Sequence, residues 1–438
     1  MRPTMWRSAS SCSSLTRSQI NFLVSYFIVF LLAVLYGRRH FYRDPGSVFF
    51  DEVEGYRPIY SLERVKQAKA FIKQVSSERT TPLRTNTQHE KNMCIGIATV
   101  KRPGDQPIDM TLASILADLT LAEREEIYLA LLFAYEPVTN HPFFDVPWVH
   151  AVTDKVMTYK QLDHKPPSLN GVNKEHRIAK KTLQDYGLLL RSCLNQTDAP
   201  WITILEDDVL AQEGWYPRTM RNLHRLQHKL KAKEIKQYLY LRLFYTEKFM
   251  GWNSEDWPRY LCWSLVLVSL PAVCGFHIRR RYPSARNTLS LEFLGIISFL
   301  CVPMAIALYF LSGRMSMQPI RPGLCRMNEF GCCSQALVFP RDMVPSLIDY
   351  LDERNSKPGP VDSVIEEWAD ENSLDRWSLV PSVMQHIGKK TYKKNEDSQP
   401  RDKFEVSGAR GLWSFGFELH GNRRGHWWDN DFDLIVTG

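Results

Sequence analysis

Apolar residues fall along this chain in runs of two lengths. Three runs are long and carry no formal charge: 18–37 between Arg17 and Arg38, 260–278 between Arg259 and Arg279, and 293–313 between Glu292 and Arg314. A helix of about 20 apolar residues crosses the hydrocarbon of a bilayer, so each run predicts a membrane span. Pro271 and Pro303 interrupt the second and third, which membrane helices tolerate. The shorter runs alternate with helical patterns. NMCIGIATV at 92–100, IYLALLFAY at 127–135 and WITIL at 201–205 read as buried strands. QYLYLRLF at 237–244 sets Leu239, Leu241 and Leu243 against Tyr238, Tyr240 and Arg242, the pattern of a half-buried strand, and 334–339 reads as another strand. Periodicity predicts helices over 62–75, 107–121, 174–193, 343–351 and 361–369. Strands alternating with helices imply an α/β fold with a mixed, mostly parallel sheet.

Charge orients the spans. Residues 279–292 carry Arg279, Arg280, Arg281 and Arg286, which predicts a cytosolic loop. Arg38-Arg39 follow the first span with no small-residue cleavage site, so that span reads as an uncleaved signal anchor. The resulting plan is a cytosolic tail at 1–17, spans at 18–37, 260–278 and 293–313, a stem at 38–91, a cytosolic loop at 279–292 and a tail at 393–438. Between them lies one lumenal catalytic domain in two parts, 92–259 and 314–392, because the second part is too short to form an α/β domain by itself. Residues 1–17 carry +3 and residues 279–292 another +3, leaving only +1 of the net +7 elsewhere. The basic balance therefore reports membrane topology, and no nucleic-acid partner is expected. Spans without an acid or a formal base offer no polar pathway, which excludes a channel or transporter. Five cysteines would be lumenal, Cys94, Cys193, Cys325, Cys332 and Cys333, where disulfides are permitted but their pairing stays open. Asn195-Gln196-Thr197 is a lumenal glycosylation sequon.

The candidate chemistry lies at the end of the 201–205 strand, where Glu206, Asp207 and Asp208 follow one another. Ligands of open α/β sheets bind beyond the carboxyl ends of strands. Three adjacent acids there repel, and a hard divalent cation relieves the repulsion. A cation so placed can hold a nucleotide diphosphate as a leaving group. The 92–100 strand ends in Thr99-Val100 and runs into the basic pair Lys101-Arg102, and Asp185 lies on the helix before the acidic strand. Pro358-Gly359-Pro360 starts a helix beside Asp362, whose apolar face is Val361, Val364, Ile365 and Trp368. Glu366 and Glu367 read as its solvated side.

Together these features resemble a glycosyltransferase of the GT-A fold. Glu206-Asp207-Asp208 resembles its metal-binding acidic motif, Gly331-Cys332-Cys333-Ser334 the loop before the acceptor-side strand, and Gln385-His386-Ile387-Gly388 the late histidine segment. With PWITILEDDV, YLRLF followed by a membrane hairpin, ALVFPRDM and VPSVMQHIG in this order, the chain resembles the post-GPI-attachment to proteins factor 4 family, over about residues 18–392. The resemblance implies a Golgi multi-pass transferase with its catalytic domain in the lumen. It would move N-acetylgalactosamine from UDP-N-acetylgalactosamine to the mannose core of GPI-anchored proteins. The implied metal, expected to be manganese, would be held by Asp208 and His386. Glu206 and Asp207 would hold the ribose and local hydrogen bonds, Thr99, Val100, Lys101, Arg102 and Asp185 would face the donor, and Asp362 would be the base. A branching N-acetylglucosaminyltransferase of N-glycans shares much of this motif set but usually has a single anchor. A non-catalytic lumenal glycan-binding scaffold would not need the acids and the histidine together.

Overall fold

The computed structural model describes residues 15–77, 90–167, 174–327, 333–388 and 412–420. It divides the chain into one unit of residues 1–55 and 250–319 and another of residues 56–249 and 320–438.

Among the described residues, the first unit contains three helices long and apolar enough to cross a membrane, Arg17–His40, one ending at Arg281, and Leu291–Leu311. They turn large apolar side chains outward, with Val29, Trp263 and Phe299 exposed by 64%, 61% and 77%. Water would penalise that surface by roughly 25 cal/mol per Å², whereas lipid does not, so this is a membrane protein. Pro303 follows a π turn at Ile297–Cys301, which locally loosens the ladder where proline supplies no N–H. Gly275 lets the hairpin close: a Cβ there would lie 2.3 Å from Leu294 Cδ2. Gln19 Nε2 donates to the Asn287 (3.3 Å) and Thr288 (3.0 Å) carbonyls, so the start of the first helix and the hairpin loop share one end of the bundle. At the other end Ser316 N–H donates to Asp44 Oδ2 at 2.7 Å.

Among the described residues, the second unit is built on a sheet of eight strands, β1 (Met93–Thr99), β2 (Ile127–Phe133), β3 (Lys155–Thr158), β4 (Trp201–Glu206), β6 (Tyr238–Arg242), β7 (Gly323–Arg326), β8 (Ala336–Pro340) and β9 (Asp375–Val380). Their order across the sheet is β3-β2-β1-β4-β8-β6-β9-β7. β5 (Val209–Ala211) and β10 (Met384–His386) form a separate antiparallel ribbon. β1 is parallel to β2 and β4, while β8 is antiparallel to both β4 and β6. Because β6 pairs with β8 and β9, one sheet draws on both sides of residues 250–319. The membrane hairpin is thus an insertion into a single α/β unit. One face of the sheet buries Ile95, Leu129 and Leu205 against helices Ile108–Leu116 and Trp215–Lys231. The other buries Ile202, Leu337 and Phe339 against Lys174–Gln196, Val344–Glu353 and Val361–Glu371. A disulfide between Cys94 and Cys193 joins β1 to the helix Lys174–Gln196, a pairing that the spacing of the cysteines leaves open.

Several expectations change here. The 38–91 segment is not only a stem: helix Tyr60–Ser77 belongs to the α/β unit, where Arg64, 1% exposed, donates to the carbonyls of Ala211 (2.8 Å) and Ser114 (2.9 Å) and pairs with Asp118 (2.8 Å). The 393–438 tail contributes Phe415–His420, whose Phe417 ring lies 5.2 Å from that of Tyr60; residues 393–410 lie outside the described residues.

β6 is buried on both sides, not half-buried. Tyr240 and Arg242 tolerate this because Glu366, read from sequence as solvated, turns inward. It accepts from the Tyr240 hydroxyl (2.5 Å) and Arg242 Nη2 (2.7 Å) and pairs with Arg376 Nε (2.6 Å). Burial raises its carboxyl against the pull of the two guanidiniums. Removing one partner of a buried pair leaves the other charge uncompensated, which costs about 3–5 kcal/mol. Glu366→Ala is therefore expected to destabilise the folded unit by about that amount. Denaturant unfolding of the detergent-solubilised protein measures it, and a change below about 1 kcal/mol would mean that the cluster is solvated in solution.

Candidate functional site

The site begins where β1 and β4 end. These neighbours are parallel, with Ala98 opposite Glu206, so Thr99 and the acidic triplet emerge at one edge of the sheet. The chain turns at Asp207 and Asp208 and enters β5, which leaves the sheet to pair with β10. His386 is the register partner of Val209, and Ile387 N–H donates to the Asp208 carbonyl at 2.8 Å. A histidine nearly 180 residues downstream is thereby fixed beside the triplet.

Glu206, Asp208 and His386 each present a ligand atom, and these atoms lie within 4.8 Å of one another. His386 Nε2 is 3.3 Å from Asp208 Oδ2. Ser334 Oγ donates to Glu206 Oε1 at 3.1 Å, and Gln335 N–H2 to Oε2 at 3.4 Å. Asp207 faces elsewhere. Its Oδ2 accepts from the Thr99 hydroxyl (2.8 Å) and Val100 N–H (3.4 Å), and its carbonyl from the Thr111 hydroxyl (2.9 Å). Glu206 therefore stands with Asp208 and His386, while the contacts of Asp207 fasten the turn. Arg102 completes the cluster, with one guanidinium nitrogen on Asp207 and the other 2.9 Å from Asp208 Oδ2.

Electrostatics follow from this arrangement. Burial opposes ionisation of Asp208, but His386 and Arg102 outweigh it and hold the carboxyl well below its ordinary range. Burial likewise pulls His386 down, and the Asp208 carboxylate outweighs it and raises the imidazole. Asp207 is raised by burial and by the neighbouring Asp208 charge. Asp208 Oδ1 and His386 Nδ1 are buried with no hydrogen-bond partner among the described residues. Buried polar atoms are rarely left so. Two carboxylates and an imidazole form a donor set suited to a divalent cation of the magnesium–manganese kind, and the residues present fit one. Gly388 keeps the space open: a Cβ there would lie 2.3 Å from Asp208 Oδ2 and 2.9 Å from His386 Nε2.

His141 lies behind Asp207 and is missed by the sequence reading. Its Nδ1 accepts from Phe143 N–H at 3.3 Å, so its Nε2 carries the proton and faces Thr99 Oγ1 at 3.2 Å. Burial lowers this imidazole to about 4. Its folded value lies below the ordinary value of about 6.5, so its share of stability is complete above pH about 6.5 and is lost as pH falls through about 4. Melting temperature measured between pH 7 and pH 4 is expected to fall more steeply for the wild type than for His141→Phe, which has no proton to take up. Parallel profiles would show that His141 does not titrate in this window.

Lys101 is exposed. Asp185 is buried in its own network, accepting from the Tyr159 hydroxyl and Lys181 Nζ, both at 2.6 Å; no contact joins it to the triplet among the described residues. Asp362 is half-buried at the start of helix Val361–Glu371, and its Oδ1 accepts from Ser363 N–H at 2.9 Å. That helix feeds β9, which is parallel to β6, and β6 shares its direction with β4. A helix packed on a sheet and feeding such a strand begins where those strands end. Glu366 meets Arg242 at the last residue of β6, and Asp362 stands one turn earlier, toward the edge that bears Glu206. Ser334, Gln335 and Gly388 are further residues that touch the cluster or keep it open; Ser334 and Gly388 stand in the two loop motifs read from sequence, but their contacts depend on pairings that spacing does not reveal.

Compared with known families, residues 93–385 match the family described as GPI-N-acetylgalactosamine transferase PGAP4, a span that includes both halves of the sheet and the membrane hairpin between them.

Proposed function

The chain belongs to the GPI-N-acetylgalactosamine transferase PGAP4 family, and from this we propose that it is a Golgi enzyme moving N-acetylgalactosamine from UDP-N-acetylgalactosamine to the mannose core of GPI anchors. The observation that carries the reading is the convergence of Glu206, Asp208 and His386 to within 4.8 Å at the end of β4. A manganese ion held by these three residues would neutralise the diphosphate of the donor and favour its departure. The arginine-rich 279–292 loop supports a cytosolic loop with the α/β unit in the lumen.

The chain's own residues then divide the work. Arg102 balances Asp207 and Asp208 and stands beside the site for the diphosphate. Thr99, backed by His141, fixes Asp207 and so the turn that presents Asp208. Asp362 stands on the acceptor side. The acceptor hydroxyl oxygen attacks the anomeric carbon, the bond to the diphosphate breaks, and the hydroxyl proton passes to Asp362 as UDP departs. The anomeric centre is inverted.

A panel of UDP-sugars with a GPI-glycan acceptor, with manganese and after chelation, tests the reading in purified protein. Transfer is expected from UDP-N-acetylgalactosamine, lost on chelation and restored by manganese. Preferred transfer of N-acetylglucosamine to an N-glycan acceptor would overturn the reading in favour of a branching enzyme, and binding of glycans with no transfer from any donor would favour a scaffold.

A further inference from the structure

The ribbon that carries His386 is gripped from behind. Gln385 precedes His386 in β10 and is fully buried. Successive side chains of a strand point to opposite sides, so its amide lies away from the imidazole and the acids. Its Oε1 accepts from His386 N–H (3.2 Å) and Ser414 N–H (2.9 Å), and its Nε2 donates to the Ser414 carbonyl (2.9 Å) and Glu418 Oε1 (3.0 Å). A side-chain amide has two donor hydrogens and two acceptor sites, and all four are used.

Glu418 extends the grip. Its Oε2 accepts from Ile59 N–H (2.7 Å) and Ser61 N–H (3.2 Å), at the start of helix Tyr60–Ser77. From the same helix Arg64 donates to the carbonyl of Ala211, the register partner of Met384. The 412–420 segment is itself fastened: Glu247 accepts from Phe415 N–H and Gly416 N–H, both at 2.8 Å. Both strands of the β5–β10 ribbon are thus held by two elements distant from it in sequence.

We infer that residues 412–420 form a clasp that sets the position of His386, with Gln385 and Glu418 as positioning residues for cation binding. The inference rests on reading Glu206, Asp208 and His386 as a cation site. Groups that orient a metal ligand from outside typically change metal affinity by about 10–100-fold when removed. Loss of a merely structural contact would lower the melting temperature and leave the affinity of the folded protein unchanged.

The test compares full-length wild type, Gln385→Leu and Glu418→Gln, purified in detergent. Glu418→Gln keeps the size of the side chain but turns one acceptor into a donor facing Gln385 or the Ile59–Ser61 amides, so it serves where Gln385→Leu fails to fold. Manganese affinity is read by calorimetry on protein shown to be folded by thermal unfolding without metal. The expected result is manganese binding about 10–100-fold weaker in the variants than in the wild type. Unchanged affinity in a folded variant beside a wild type that binds manganese overturns the clasp and leaves the cation site standing. A wild type that binds no manganese overturns the cation site, and the clasp with it.

Discussion

Asp208→Ala is expected to abolish metal-dependent transfer while the protein still folds and reaches its membrane. Asp208 supplies two things that no neighbour replaces: an oxygen that joins those of Glu206 and the His386 imidazole within 4.8 Å, and the carboxylate that contacts His386. Loss of a Lewis-acid contribution of several kcal/mol lowers the rate about a thousandfold or more. The fold survives because Arg102 keeps its pairing with Asp207, which in turn keeps Thr99 and Val100. Turnover at saturating donor, manganese affinity by calorimetry and thermal unfolding separate these effects. Normal turnover in the variant would remove Asp208 from the site. A variant that binds manganese as the wild type does would place the cation elsewhere.

Asp362→Asn is expected to slow transfer by about 10²–10⁴-fold, the usual contribution of a general base, with donor affinity nearly unchanged. The variant keeps size and can still accept the Ser363 N–H bond, but it cannot take a proton. Glu366 is no substitute one turn on, since its oxygens are held by Tyr240, Arg242 and Arg376. Transfer rate read beside UDP-sugar affinity decides. An affinity that collapses with the rate makes Asp362 a donor-site residue, and a rate that does not change makes it a surface acid.

Elements set by local pattern are legible in the sequence, and so are their ends. β1, β2 and β4 are apolar runs, the three membrane helices are longer ones, and Glu206-Asp207-Asp208 announces itself by placing repelling charges where a buried strand stops. What depends on distant pairing is not legible. β5 and β10 have three residues each, too few for a periodicity, yet they bring His386 to Asp208. The Cys94–Cys193 bond is one of several pairings that the chain allows. Glu366 shows the limit of amphipathic reasoning: its helix position reads as solvated, and only the burial of Arg242 on β6 draws it inward. Gly388 and His141 act through clearance and tautomer, properties that residue type leaves open. Composition likewise hides the membership of helix Tyr60–Ser77 and of residues 412–420 in the α/β unit, because a polar helix and a Trp-rich tail pack through single residues, Arg64, Phe415 and Phe417.

The most direct measurement is mass spectrometry of the GPI glycan from cells lacking this enzyme, complemented with the wild type or with Asp208→Ala at equal abundance. The proposed reaction predicts a glycan one N-acetylhexosamine heavier with the wild type, identified as N-acetylgalactosamine on mannose, and the unmodified glycan with Asp208→Ala. The same glycan mass from both, or an added N-acetylhexosamine on N-glycans instead, would contradict it.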